Sequence, residues 1–172
     1  MAKLYNVLFV CSGNSGRSIM AESVLSRLGH GKFAAYSAGS HPISRINPLA
    51  LEQLALTGFP TEGFRSKSWL EFTQASSPPL DFVITVCDLA GAQSQPNWPG
   101  NPICLAWHFI APGAMQGTDL QVRQAFADVL KEIRSAVDQF VLLPVGEVER
   151  GARVSMAEGI TIERAAKPGS IH

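Results

Sequence analysis

The residues with the clearest chemical meaning are a cysteine and an arginine separated by five residues. Residues 11–18 read Cys-Ser-Gly-Asn-Ser-Gly-Arg-Ser. Between a strand and a helix, such a loop can wrap a tetrahedral oxyanion, because its backbone N–H groups point inward, the helix N-terminus adds positive potential and Arg17 can bind two oxygens. The same positive field favours the thiolate form of Cys11, which is the nucleophilic form. The sequence therefore predicts an anion-binding loop with a nucleophile at its base.

The elements around this loop follow an alternating pattern of strands and helices. The apolar run 5–10 shows almost no alternation, as expected of a parallel strand that is covered on both faces. After the loop, apolar residues recur at helical spacing up to Gly29. Further along, the pattern predicts strands at 32–37, 81–87 and 102–106 and helices at 48–58, 69–75 and 119–143, the last with Thr118 and Gln121 in a capping box.

This alternation predicts a three-layer α/β/α fold with a four-stranded parallel sheet. We expect one domain over residues 1–143. Residues 144–172, with several glycines and scattered charges, are interpreted as a mobile or loosely docked C-terminal tail. Ligands of parallel sheets bind at the carboxyl ends of strands, and both Cys11 and Cys87 are predicted to stand at such ends. The two cysteines are therefore predicted to face one crevice.

The composition indicates which partners to expect. Apolar residues make up 46% of the chain and charged residues 16%, which is typical of a globular domain. Basic and acidic residues balance at 14 each, so the sequence lacks the excess of positive charge typical of nucleic-acid binding. The first apolar run is too short for a signal peptide or a membrane span, and three cysteines without an export signal indicate reduced, cytoplasmic thiols. We expect no nucleic-acid or membrane partner, and a monomer or weak dimer.

Short motifs beyond the loop carry a family resemblance. They are Met20-Ala21-Glu22 and the segments 36–42, 47–50, 65–69, 82–88, 98–100 and 117–119. Together with Cys11, Asn14, Arg17 and Ser18, these motifs resemble the low-molecular-weight tyrosine phosphatase family, and more particularly the arsenate reductases that share its fold. The likeness runs from about residue 4 to 143. Cys87 favours the reductase branch, because those enzymes keep a second redox cysteine at this place.

The resemblance implies a mechanism. Cys11 attacks arsenate, Ser18 steadies the Cys11 thiolate, and Cys87 then attacks Cys11, which expels arsenite and leaves a disulfide. No bound cofactor is implied, and an external thiol such as thioredoxin, glutaredoxin or glutathione restores the enzyme. The residues that hold the oxyanion are Ser12, Gly13, Asn14, Ser15, Gly16 and Arg17.

Among the departures from the family pattern, two bear directly on the reaction. Gln95 stands where thioredoxin-coupled reductases have a third cysteine that carries the disulfide to the surface. Cys104 is the candidate third redox cysteine, although it could equally be a small buried hydrophobic residue. If Cys104 takes no part, an external thiol attacks the disulfide directly. Ala111 stands before Pro112 where relatives have an Asp that acts as general acid. Its loss typically costs on the order of 10²–10⁴ in rate, and should harm phosphate-ester hydrolysis more than arsenate reduction.

A cation site follows from the same resemblance. Some reductases of the family bind potassium through the loop Asn, a helix Glu and a Ser. Asn14, Glu22 and Ser37 match these ligands, whereas Ser68 replaces an expected Asp. A monovalent cation near these residues is therefore a candidate, and no other metal site is predicted.

Three functions remain open on the sequence. The first is arsenate reduction, with Cys11 as the nucleophile and Cys87 as the resolving thiol. The second is hydrolysis of phosphotyrosine or a small phosphate ester through a Cys11 phosphocysteine. The third is a degenerate member that binds an oxyanion or a partner protein without turnover, a hypothesis that Ala111 and Gln95 favour. Only the first function needs Cys87.

Overall fold

The computed structural model describes residues 2–88 and 94–146, and the backbone of 161–163. The elements in chain order are β1 (Tyr5–Cys11), α1 (Arg17–Leu28), β2 (Phe33–Gly39), α2 (Pro48–Leu56), a 3₁₀ turn (Trp69–Thr73), β3 (Phe82–Thr85), β4 (Ile103–Ala106), a second 3₁₀ turn (Pro112–Ala114), α3 (Asp119–Val141) and β5 (Thr161–Glu163). The predicted alternation of strands and helices is confirmed. The segment expected as a short helix at 69–75 is a 3₁₀ turn.

The strands lie in the order β2-β1-β3-β4-β5. The first four are parallel, as predicted, and each pair is in continuous register. β5 pairs antiparallel with β4 and adds a fifth strand that the sequence analysis did not anticipate, since it lies in the segment interpreted as a tail. A strand of three residues is too short for a period to be visible in the sequence. Most of the remainder of 144–172, and with it the expected mobility, lies outside the described residues.

The core explains the unbroken apolar run of the first strand. Val7, Leu8, Phe9 and Val10 are all completely buried, which places β1 in the middle of the sheet with both faces covered. Helix α3 packs against α1 and α2 and buries an apolar stripe that runs from Phe126 to Phe140. Its N-terminus carries the predicted capping box. No helix among the described residues is long and apolar enough to cross a membrane.

The strand order creates a crevice at one point of the sheet. The chain leaves β1 toward β2 on one side and returns to place β3 on the other side of β1. The connections that follow β1 and β3 therefore diverge, and the space between them at the carboxyl ends of the strands is open to a ligand. Cys11 is the last residue of β1, and Cys87 follows β3 by two residues. Strand β3 ends at Thr85, so Cys87 lies in the loop that follows it.

Candidate active site

The loop between β1 and α1 is held by hydrogen bonds on its outer side. The carbonyl oxygens of Cys11, Ser12, Gly13 and Ser15 accept bonds of 2.8 to 3.2 Å from backbone N–H groups within the segment 40–47. A trans peptide points its N–H opposite to its carbonyl. The N–H groups of the loop are therefore turned inward, toward the space above the Cys11 sulfur. Together with the N-terminus of α1 they form an anion-binding cup.

Gly39 allows β2 to approach this loop. A Cβ atom at this position would lie 2.5 Å from the Ser12 oxygen and 3.0 Å from atoms of Asn14. Any side chain here would push the loop away from the sheet. Asn14 itself has a φ of 46°, a left-handed conformation that asparagine tolerates better than most residues. The loop geometry thus depends on a glycine outside the loop and an asparagine inside it.

The Cys11 sulfur receives two hydrogen bonds from the loop and from α1. The Asn14 N–H donates to it at 3.2 Å, and the Ser18 hydroxyl lies 2.9 Å away. The Asn14 side-chain amide donates to the Ser18 oxygen at 2.9 Å, which leaves the Ser18 proton free to point at sulfur. A thiolate can only accept hydrogen bonds, so this arrangement suits the ionised form of Cys11.

The Asn14 amide is itself fixed by a buried network. Its oxygen accepts the Lys67 backbone N–H at 2.9 Å, and its nitrogen donates to Ser37 at 3.0 Å. Ser37 in turn donates to the Glu22 carboxylate of α1. The direction of every bond is set, because an amide nitrogen only donates and a carboxylate only accepts. Burial raises the pKa of Glu22, while the bond from Ser37 and the positive charge of Lys67 act to lower it.

A cavity of about 150 Å³ opens above the sulfur. The loop forms its floor, and the 3₁₀ turn Pro112–Ala114 and Phe126 of α3 form its far side. Arg17 lines the cavity and donates from Nη1 to the Phe109 carbonyl at 2.9 Å, so its guanidinium spans from the loop to the segment after β4. The cavity is large enough for a tetrahedral oxyanion and positions a cation beside it.

Cys87 lies beside the loop on its β3 side. Its sulfur is 3.7 Å from the Ser12 hydroxyl, and both Cys11 and Cys87 are buried, free thiols. The predicted crevice therefore brings Cys87 next to the residue that follows Cys11. The cavity is lined by Cys11 but not by Cys87.

Comparison with known proteins identifies this arrangement. Residues 6–98 match the family model described as low molecular weight phosphotyrosine protein phosphatase. The glutaredoxin arsenate reductase of Synechocystis sp. is 30% identical over 135 residues, which are 78% of this chain and 95% of that protein. The chain belongs to the low molecular weight phosphotyrosine protein phosphatase family. The family resemblance derived from the sequence is thereby confirmed.

Solved structures of the family agree with the fold. An arsenate reductase in the phosphate binding state is 28% identical, with a TM-score of 0.63 over 80% of this chain and 96% of its own. The thioredoxin-dependent arsenate reductase of Corynebacterium glutamicum is 25% identical, with a TM-score of 0.53 over 80% of this chain and 63% of its own. The three-layer α/β/α fold with four parallel strands is the fold that the sequence predicted.

The described part of the cavity wall contains no acidic side chain. Ala111 lines the cavity just before the 3₁₀ turn, at the place where the family resemblance led us to expect an acid. Among the described residues that form the wall there is no Asp, Glu or His. Asp88 and His108 follow the carboxyl ends of β3 and β4, but they are largely exposed and bind each other at 2.6 Å. Neither of them contributes to the cavity wall.

The third cysteine lies away from the crevice. Cys104 is in β4, level with Val83 of β3, whereas Cys87 follows four residues later on that chain. At about 3.3 Å per residue, the level of Cys104 lies roughly 7 Å before the end of β3, and Cys87 lies two residues beyond that end. Burial raises the pKa of the Cys104 thiol, which makes it a weaker nucleophile. Gln95 accepts a hydrogen bond from the Trp98 indole at 3.0 Å. The structure thus places Cys87 beside the loop that begins at Cys11 and leaves Cys104 apart.

The candidate cation ligands Asn14, Glu22 and Ser37 lie in one hydrogen-bonded network. Asn14 turns its nitrogen, not its oxygen, toward Ser37, and its oxygen is taken by the Lys67 N–H. Ser68 accepts from the Leu70 N–H and caps the 3₁₀ turn. The described residues also contain no cluster of three or more His, Cys, Asp or Glu side chains that could hold a metal. A bound potassium ion needs oxygen ligands; Glu22 and Ser37 contribute oxygens to this network, whereas Asn14 contributes an N–H group.

Several supporting residues escaped the sequence analysis. Lys67 and Gly39 contact the loop from the neighbouring strand end, and the Ser66 hydroxyl donates to the Gly13 carbonyl at 3.1 Å. Asn47 caps α2 and also lines the cavity. The family motifs contained these residues, but only the pairing of β2 beside β1 shows which atoms they serve.

Proposed function

We propose that the chain is a thiol-dependent arsenate reductase in which Cys11 is the nucleophile and Cys87 the resolving thiol. The observation that carries this proposal is the position of Cys87, which lies 3.7 Å from Ser12 at the edge of a cup with no acid in its wall. A second thiol beside the nucleophile serves reduction. Hydrolysis would need an acid for the leaving group instead.

The first step forms the bond between sulfur and arsenic. Arsenate enters the cup, where the inward N–H groups and the Arg17 guanidinium hold its oxygens. The Cys11 thiolate attacks arsenic, and one arsenate oxygen leaves as water after taking up protons. Arsenic is still pentavalent at this point. The Ser18 hydroxyl holds the thiolate in line for this attack.

The second step transfers the electrons. Cys87 loses its proton and attacks the Cys11 sulfur, so that a disulfide bond forms as the bond between Cys11 and arsenic breaks. The electron pair of that broken bond stays on arsenic, which becomes trivalent and leaves as arsenite. Two thiol sulfurs are oxidised for each arsenic reduced. The two thiols supply both electrons, so one turnover needs no cofactor.

Regeneration needs an external thiol. Because Gln95 cannot exchange thiols and Cys104 lies far along β4, we infer that the donor attacks the Cys11–Cys87 disulfide directly. Cys11 lines the cavity and Cys87 does not, so the Cys11 sulfur is the one within reach of an entering thiol. The relatives named for glutaredoxin and for thioredoxin support a redoxin as that donor. Glutathione is the alternative source of the same chemistry.

A single-turnover experiment tests the roles of the cysteines. Reduced protein, freed of external thiol, is mixed with arsenate, and arsenite, free thiols and disulfides are measured by mass spectrometry. Wild-type protein should release close to one arsenite per chain and form a Cys11–Cys87 disulfide. Cys87→Ser should release none, whereas the matched control Cys104→Ser should behave as wild type. Arsenite release by Cys87→Ser without external thiol would contradict the proposal.

Phosphate-ester hydrolysis is the second candidate, and the family loop alone favours it. It requires Cys11 and Arg17 but not Cys87, so Cys87→Ser should leave any aryl-phosphate hydrolysis intact. Saturable arsenate binding without turnover of either compound would instead favour the third hypothesis, a non-catalytic binding protein. The single-turnover assay and an aryl-phosphate hydrolysis assay together separate the three functions.

A further inference from the structure

Asn47 stands at the start of α2 and is tied to the anion-binding loop. Its backbone N–H donates to the Ser15 carbonyl at 2.8 Å, and its side-chain oxygen accepts the Leu49 N–H at 2.9 Å as the cap of the helix. A backbone N–H only donates, so the side-chain atom that faces Leu49 is the oxygen, and the side-chain nitrogen points the other way. The backbone bond and the cap therefore hold the amide in one orientation.

The side-chain nitrogen of Asn47 is an unused donor in the cavity wall. It faces the second 3₁₀ turn, where a Cβ atom added to Gly113 would lie 3.7 Å from it. The side-chain bond of Asn47 uses the oxygen, so none of the described residues occupies the nitrogen. Apart from the loop and Arg17, the described wall consists of Asn47, Ala111, Pro112, Gly113, Ala114 and Phe126. Asn47 carries the only side-chain hydrogen-bond donor in this set.

A tetrahedral oxyanion in the cup has one oxygen that the cup does not reach. A nucleophile attacks the central atom roughly in line with the group that leaves on the opposite side. With the Cys11 sulfur at the floor, three oxygens lie toward the loop N–H groups and Arg17, and the fourth points outward into the cavity. The wall that surrounds this fourth oxygen is apolar except for Asn47.

We propose that the Asn47 side-chain N–H binds the outward oxygen of the oxyanion and stabilises that oxygen as it leaves. When the Cys11 thiolate bonds to arsenic, the opposite bond from arsenic to oxygen breaks. Its electron pair stays on the oxygen, which takes up protons from water. The Asn47 amide keeps its own hydrogens and acts by hydrogen bonding to the charge that gathers there. This inference rests on the proposed function in that Cys11 attacks an oxyanion held in the cup.

The test compares two ligands that differ by one oxygen. Inorganic phosphate has four oxygens, whereas methylphosphonate has three and a methyl group that faces outward when its oxygens occupy the cup. Dissociation constants are measured from the protection of Cys11 against iodoacetamide, which is followed by peptide mass spectrometry. Asn47→Ser keeps a capping side chain for α2 and removes the amide donor. It should weaken phosphate binding about tenfold, the low end for a hydrogen bond to a charged group, and leave methylphosphonate binding unchanged.

The two ligands separate a contact with oxygen from a change in structure. A loop displaced by the substitution would weaken both ligands alike. Asn47→Asp keeps the cap but replaces the donor with a charged acceptor, so it should weaken phosphate binding more than Asn47→Ser does. The control Asn97→Ser, at an exposed position outside the described cavity wall, should leave both constants unchanged. Equal weakening of the two ligands, or wild-type phosphate binding by Asn47→Asp, would overturn the proposal.

A rate measurement tests the departure of the outward oxygen. At saturating arsenate in the single-turnover assay, Asn47→Ser should form the Cys11–Cys87 disulfide at least about tenfold more slowly than wild type, but to the same extent. An unchanged rate would contradict the role in departure. If phosphate protected wild-type Cys11 but arsenate produced no disulfide, the proposed reduction would fail, and the phosphate and methylphosphonate constants would still decide the contact with Asn47.

Discussion

Replacing Ala111 with aspartate should give this protein the phosphatase chemistry that its cavity lacks. Ala111 lines the cavity at the start of the 3₁₀ turn, on the side that Arg17 reaches. A carboxyl group here would face an ester oxygen held in the cup. Ala111 is half-buried, so an added carboxyl keeps part of its contact with water and should cost little stability. The substitution therefore tests a missing function rather than a broken fold.

The expected gain depends on the leaving group. General acids contribute roughly 10²–10⁴-fold, and we expect about 10²-fold for phenyl phosphate, because the turn is not shaped around a carboxyl group. For 4-nitrophenyl phosphate the gain should be less than about tenfold, since nitrophenolate leaves without a proton. Values of kcat/KM for a series of aryl phosphates measure this difference. The wild-type rates should fall steeply as the leaving group becomes more basic, and those of Ala111→Asp should fall much less.

Ala114→Asp is the matched control, because it places the same charge at the other end of the turn. The two variants should differ also in their pH profiles: only Ala111→Asp should lose activity as pH rises through the pKa of the new carboxyl group, which must be protonated in order to donate. Equal rates for the two variants would refute the reasoning. So would a shallow leaving-group dependence in wild-type protein, which would mean that another group already acts as the acid.

Three further changes probe the loop and its support. Ser18→Ala removes the 2.9 Å hydrogen bond to Cys11, and a bond to a charged group is worth about 1.5–3 kcal/mol. Alkylation of Cys11 at neutral pH should therefore slow by roughly 10- to 150-fold, whereas exposed Ser135→Ala should change nothing. Gly39→Ala brings a Cβ to 2.5 Å from the Ser12 oxygen. The substitution should lower the free energy of unfolding in urea by about 1–3 kcal/mol and abolish oxyanion binding. Unchanged binding would argue against the close approach. Burial raises the pKa of Glu22, so as pH rises the unfolded chain ionises before the folded protein does. Stability should therefore decline between the ordinary glutamate pKa and the raised one. In unfolding measured between pH 4 and 8, Glu22→Gln should abolish that decline and exposed Glu132→Gln should retain it.

The loop and its two cysteines were predictable from the sequence because each has a local signature. A strand, a glycine-rich loop and a helix are adjacent in the chain, and the strand ends place Cys11 and Cys87 at one edge of a parallel sheet. The Thr118 cap and the apolar stripe of α3 are equally local. Each of these features depends on a period or on a motif of a few residues. Neighbouring positions in the chain therefore carry the information.

The support of the loop was not predictable in the same way. Lys67 and Gly39 serve the loop through backbone atoms, which every residue has, so their residue types do not reveal the contact. The bonds exist because β2 lies beside β1 and the segment after it folds back over the loop. Strand β5 was not predicted for a related reason, because a strand of three residues that pairs with β4 is too short to show a periodic pattern in the sequence. Both the support of the loop and strand β5 depend on pairing between segments that are distant in the chain.

The reaction is decided by what surrounds the loop rather than by the loop itself. The cup of N–H groups, Arg17 and a supported thiolate would accept phosphate and arsenate alike, because both are tetrahedral oxyanions. After the first attack the two chemistries need different groups: a proton for an ester oxygen, or a second thiol for the sulfur. Where a proton donor would be needed this cavity has Ala111, and at the edge of the loop it has the thiol of Cys87. The side chains around the loop therefore favour reduction over hydrolysis.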